Sequence, residues 1–133
     1  MSRPTGVLDT SAVIALPTLV SSEVLPDVPL ITTVTLAELS VGPLVATDPT
    51  EQARRQALLQ QVEADFEPLP FDAAAARAFG LVAADLRRAG RKTSARSYDA
   101  MIAAIALSRG LPVYTCNPSD FSAISGLDVV QIP

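Results

Sequence analysis

The sequence predicts an α/β domain, on three observations. Short apolar runs alternate with longer segments that carry helix-start signals. The composition is aliphatic, with 49% hydrophobic residues but only 5% aromatic and no tryptophan. One segment, "SYDAMIAAIALSRG" (97–110), is apolar on every side over 100–107, as a helix buried on all faces requires. Strands alternating with helices imply a mostly parallel sheet covered on both faces. At 133 residues the chain suits a single domain spanning 1–133 with a substantial core.

Each element has a local reason. Val7 and Leu8 belong to a first strand at 6–8, and a short helix is expected over about 11–20. "PLITT" (29–33) reads as a second strand and "TLAELSVG" (35–42) as a helix ending at Gly42. "DPTEQ" is a strong helix start, with Asp48 as N-cap, Pro49 at the first helical position and Glu51 three residues after the cap. That helix should run to about Asp65. "FEPLP" (66–70) is a third strand, placed at an edge because of its two prolines. Asp72 caps "AAAARAFGLVAADLRRAG", which stops at Gly90. After the 97–110 helix, "LPVYT" (111–115) and "DVVQI" (128–132) are the fourth and fifth strands.

Composition narrows the chemistry. The formal charge is −4, so a protein that coats polyanions generally is excluded. Charge is nevertheless uneven: five of the ten basic residues (Arg87, Arg88, Arg91, Lys92 and Arg96) fall within "RRAGRKTSAR", a segment able to hold a phosphate backbone. The lone Cys116 rules out an internal disulfide and a cysteine-rich zinc site, and fits a reducing compartment. There is no histidine, which removes Ser-His-Asp and Cys-His catalysis and imidazole metal ligands. "GVLDTSAVIALPTLV" loosely imitates a signal peptide, but Asp9 and Pro17 interrupt it and no small-x-small cleavage site follows. No run approaches the ~18 apolar residues of a membrane span. The reading is a cytoplasmic protein.

Four acidic residues stand beside apolar signals rather than on solvated faces: Asp9, Glu38, Asp99 and Asp120. Taken singly, each has a structural explanation. Asp9 is an N-cap for a helix starting at Thr10 or Ser11. Glu38 completes a capping box with Thr35. Asp99 complements the dipole in the first turn of a buried helix, and Asp120 closes a turn after "NPS". Together they point further, because in a parallel sheet all four positions lie toward the carboxyl edge, where α/β sites gather. Carboxylates converging there repel unless a cation sits among them, and oxygen-only ligands select Mg²⁺ or Mn²⁺. Such a site supports phosphodiester hydrolysis without histidine.

"VLDTSAVIAL", "TTVTLAELSVG", "SYDAMIAAIALSRGLPVYTCNPSDF" and the closing "VVQI" resemble PIN-domain proteins, and most of all the VapC ribonuclease toxins of bacterial toxin–antitoxin pairs. The likeness covers nearly the whole chain in the usual order and spacing. It implies a three-layer α/β/α domain with a five-stranded parallel sheet in the order 3-2-1-4-5. It places Asp9, Glu38 and Asp99 on the family's three acidic metal positions, with the fourth supplied by Asn117 or Asp120. Many members have Asp where Asn117 stands, and Arg is frequent where Cys116 stands. Thr10 and Ser11 match small hydroxyl residues beside the site that position water or phosphate. Arg87, Arg88, Arg91, Lys92 and Arg96 would grip phosphates, whereas Tyr98 and Met101 read as packing residues. The implied activity is Mg²⁺-dependent (or Mn²⁺-dependent) cleavage of structured RNA, at tRNA or rRNA loops, by metal-activated water. The implied partners are a VapB-type antitoxin and a second copy of the chain.

Rival readings fare worse on the residues. A haloacid-dehalogenase-type phosphatase needs a second Asp two positions after the first, where Ser11 stands. Dinucleotide binding needs a glycine-rich turn after the first strand, and there is none. A binding module with a degenerate site is favoured by Asn117 alone. A DNA-directed nuclease is the nearest mechanistic rival, and the short chain shows no duplex-binding extension.

Overall fold

Residues 4–19, 22–92 and 97–133 are described by the computed structural model. Strand β1 (Thr5–Leu8) leads into helix α1 (Thr10–Ala15). Strand β2 (Val28–Leu30) is followed by α2 (Thr33–Val45), α3 (Pro49–Asp65), α4 (Ala73–Arg88) and α5 (Ser97–Ser108), and the chain closes with β3 (Val113–Thr115) and β4 (Val129–Gln131). All four strands pair in parallel, in the order β2-β1-β3-β4.

The expected third strand at 66–70 is instead a single parallel bridge between Leu69 and Thr32. Leu69 N–H donates to the Ile31 carbonyl and its own carbonyl accepts from Thr33 N–H, each at 2.9 Å. Helix α2 begins at Thr33, so the extended partner ends there and the ladder cannot lengthen past it, while Pro68 and Pro70, whose missing N–H groups would face away from β2, suit an open edge. Among the described residues the sheet is therefore four-stranded, with this one residue standing beside β2 where a fifth strand was expected.

Successive strand residues face opposite layers. Val7 and Val113 join the core formed with α4 and α5, including Val82, Leu86, Ile102 and Ile105. Leu8 and Tyr114 join the opposite core with Ala12, Val13, Ile31, Leu39 and Val62. This period-two division makes three layers, helices on either side of one sheet. The expected all-round burial of α5 holds for Ala100 and for 102–106, which pack against the sheet, α4 and α2. At Gly6 even a methyl group would come within 2.4 Å of the Tyr114 ring, so the absent side chain is what lets that ring lie on β1.

Several boundaries move for local reasons. The first helix stops at Ala15 rather than near residue 20, because Pro17 turns the chain into a 3-10 turn over Leu16–Thr18. Helix α2 begins at Thr33 under the side chain of Thr32, which accepts from Thr35 N–H at 3.2 Å, so Thr35 is not the cap of a capping box. It also passes through Gly42 to Val45. The bare α-carbon at 42 admits the Arg55 side chain of α3, whose guanidinium donates to the Gly42 carbonyl at 3.0 Å. Helices α4 and α5 stop as expected: Gly90 (φ 75°) and Gly110 (φ 67°) take the left-handed conformation. The following N–H groups of Arg91 and Leu111 reach back to Leu86 and Ala106.

Candidate active site

Parallel pairing brings the end of β1, the end of β3 and the starts of α2 and α5 to one edge of the sheet. Asp9 is the first residue beyond β1 and is only 3% exposed. Its Oδ1 accepts from Ala12 N–H at 2.9 Å, so it does cap α1. The same oxygen accepts from the Ser11 hydroxyl at 2.7 Å, and Oδ2 accepts from the Thr115 hydroxyl at 2.6 Å. Because Leu8 pairs with Tyr114, the next residues along, Asp9 and Thr115, stand side by side. Ser11 and Thr115 receive in turn the backbone N–H groups of Cys116 (3.1 Å) and Asn117 (2.9 Å). Both hydroxyl protons are thus directed at one buried carboxylate, whose orientation is set from two strand ends.

Glu38 lies one turn into α2 and is half-buried. Its Oε1 accepts from the Thr10 hydroxyl at 2.6 Å, and Thr10 Oγ1 lies 3.0 Å from Thr35 Oγ1. Burial pushes the Glu38 carboxyl above its ordinary value, the Thr10 hydroxyl draws it back, and the charge of Asp9 raises it again. Among the described residues neither carboxylate is paired with lysine or arginine.

The other expected site residues are placed as follows. Asp99 is in the first turn of α5. Asn117 is exposed and precedes the 3-10 turn Pro118–Asp120, which ends on Asp120. Arg87 and Arg88 end α4 and are exposed, and Lys92 is exposed just beyond. Arg88 is engaged with Asp85 at 2.5 Å, while Arg91 is partly covered and Arg96 lies outside the described residues. Tyr98 is 52% exposed, contrary to its reading as a packing residue, whereas Met101 does pack on the core. Among the described residues no three acidic or thiol side chains close into a metal cage. The donor chemistry still fits a hard cation, because Mg²⁺ takes one or two carboxylates and keeps several waters.

Two hydroxyl residues of this edge, Thr115 and Thr35 in its bonding role, escape a reading of the sequence. Only strand register sets Thr115 opposite Asp9, and only the approach of α1 to α2 brings Thr35 to Thr10. A cleft of about 370 Å³ opens from Thr10 and Glu38 between α2 and α3, past Leu39 and Leu58 to Arg54. Arg54 and Arg55 both bond Glu51 there.

The PIN domain family model matches residues 6–127. The chain is 43% identical over 129 residues to ribonuclease VapC5 of Mycobacterium tuberculosis, covering 96% of this chain and 93% of the relative. It is 37% identical over 97 residues to the tRNA(fMet)-specific endonuclease VapC of Shigella flexneri, covering 73% and 70%. A crystal structure of VapBC-5, a toxin–antitoxin system of M. tuberculosis, superposes with a TM-score of 0.83 at 40% identity, over 96% of this chain and 98% of that one. DNA-bound VapBC of Salmonella typhimurium gives 0.77 at 29% identity, over 95% and 96%.

Proposed function

This chain belongs to the PIN-domain family, as a ribonuclease toxin of the VapC kind, and we propose that it is a metal-dependent endoribonuclease restrained by a VapB-type antitoxin. The observation that carries the reading is Asp9: a carboxylate 3% exposed, oriented by two hydroxyl donors, with Glu38 held in its field. A buried acid so arranged, with no described cation beside it, is built to receive one. In this reading Asp9 and Asp99 hold Mg²⁺ or Mn²⁺, with Glu38, Asp120 and the Asn117 carbonyl orienting the ion or the attacking water. The ion supplies a water of lowered pKa and neutralises charge developing on phosphate.

The remaining work belongs to the chain's own side chains. Arg87 and Lys92, exposed at the end of α4 and just beyond it, would take phosphates, together with the partly covered Arg91. Arg88 serves the same end once it leaves Asp85. Substrates are structured RNAs, at tRNA or rRNA loops, because unstacked loop bases are what side chains can read. The relative from Shigella flexneri, named for a tRNA, supports that class. The solved VapBC complexes support the antitoxin partner, and the protein is proposed to be a cytoplasmic homodimer. No helix among the described residues is long and apolar enough to cross a membrane.

With no histidine available, water attacks in line and the 3′ oxygen departs, leaving a 5′-phosphate and a 3′-hydroxyl. The test is incubation of the purified chain with tRNA and rRNA, with end-group analysis. EDTA should stop cleavage and Mg²⁺ or Mn²⁺ restore it. Cleavage that persists in EDTA, or ends in a 2′,3′-cyclic phosphate, overturns the mechanism. Binding of RNA without any cleavage would favour the module with a degenerate site, for which Asn117 speaks. Cleavage of DNA in preference to RNA would overturn the substrate class.

A further inference from the structure

We propose that Thr35 is a positioning residue for Glu38, acting through Thr10 as a relay of two hydroxyls. The inference rests on the reading of Glu38 as part of the cation-binding edge. It follows from counting protons. Thr10 has one hydroxyl proton, and it is donated to Glu38 Oε1 at 2.6 Å. The 3.0 Å contact between Thr10 Oγ1 and Thr35 Oγ1 must then use the proton of Thr35. Thr35 is 0% exposed, so water is not at hand as another acceptor. The usual alternative for a hydroxyl in a helix is the carbonyl four residues back. Among the described residues the Thr35 hydroxyl makes no such bond, and Thr10 is its one partner. Both protons therefore run one way, from Thr35 to Thr10 to Glu38.

A valine would fill the site of Thr35 equally well, beside its buried neighbours Val34 and Leu39. What the hydroxyl adds is direction. With its oxygen occupied as acceptor, Thr10 has its proton aimed at Glu38 and the carboxylate is held in one orientation before any ligand arrives. The arrangement parallels that at Asp9, where Ser11 and Thr115 are each fixed by a backbone N–H from behind. At Glu38 the fixing group is a side chain, so it can be removed without disturbing the backbone. The helix start is unaffected too, because Thr35 contributes only its N–H to the cap on Thr32.

The experiment compares the full-length chain with Thr35→Val and Thr35→Ser. Mn²⁺ affinity is measured by electron paramagnetic resonance without RNA, alongside thermal melts and kcat and KM for RNA cleavage. Thr35→Val should fold, bind Mn²⁺ about 10-fold or more weakly and lose a similar factor in kcat, with KM unchanged. Thr35→Ser should restore both. Parental Mn²⁺ affinity in Thr35→Val, or equal impairment of Thr35→Ser, overturns the relay. If Thr35→Val does not fold, Thr10→Val decides: a loss of Mn²⁺ affinity that Thr10→Ser repairs supports the relay, and unchanged affinity overturns it. A parent that binds no Mn²⁺ overturns the proposed function and the relay together. A parent that binds, with variants that match it, overturns the relay alone.

Discussion

Asp9 uses its two carboxylate oxygens differently. Oδ1 caps α1, whereas Oδ2 bonds only Thr115 among the described residues. In Asp9→Asn the carbonyl can keep the cap, since Asn and Asp are equivalent N-caps. The new NH₂ would meet a hydroxyl that is itself a donor. Cleavage should be abolished while the cap is kept and the buried meeting of two donors costs about 1–3 kcal/mol, as nuclease assays and urea titrations would show. Glu38 predicts the opposite balance. Its carboxyl binds a proton more tightly folded than unfolded, so stability falls as pH rises from the ordinary carboxylate value through the raised one. Glu38→Gln removes that penalty. Without metal it should melt above the parent at neutral pH, by less than about 1 kcal/mol given its partial exposure, and match it in acid. Thermal melts in EDTA across that range would check it.

The elements that carry the site are tied down by contacts away from it. The segment after β3, which bears Asn117 and Asp120, is pinned to α4 where Ser125 N–H donates to Asp85 at 2.9 Å. That bond, then Arg88, holds the Asp85 carboxyl below its ordinary value. The contribution is therefore present above the ordinary carboxylate value and is lost as pH falls through the lowered one. Asp85→Ala should speed amide exchange at Ser125 and its neighbours while leaving α4 protected, as hydrogen–deuterium exchange would read. It also frees Arg88, so RNA binding should become more salt-dependent as one more phosphate contact is made. Helix α2 is held at its other end by Arg55 on the Gly42 carbonyl, which keeps Glu38 on a rigid support.

For the molecule as a whole, α5 is the keystone. It packs against the sheet, α4 and α2, and Ile105 within it is 0% exposed. Ile105→Ala should cost about 2–5 kcal/mol. Against a typical total of about 5–15 kcal/mol that leaves a narrow margin, so the variant should unfold at distinctly lower urea. Loss should be cooperative across both cores, because the central strands contribute alternate residues to each. Coincident circular dichroism and fluorescence transitions would verify this.

Local chemistry was readable in the chain by itself. Asp48 with Pro49, Asp72, Gly90 and Gly110 mark helix ends through bonds within a few residues, and the unbroken apolar face of 100–107 already demanded burial. The absence of histidine and the recurrence of acids beside strand ends pointed to oxygen-ligand chemistry. The tertiary structure alone decided what depends on neighbours distant in sequence. Leu69 became a bridge rather than a strand because its partner segment turns into helix α2 at Thr33, leaving it one pair of bonds there. Gly42 stayed helical because Arg55 filled its empty face. Thr115 met Asp9, and Thr35 met Thr10, through strand register and helix docking across long stretches of chain. A cap or a turn is settled by adjacent atoms. A hydroxyl's proton is assigned only once the whole fold has placed its acceptor.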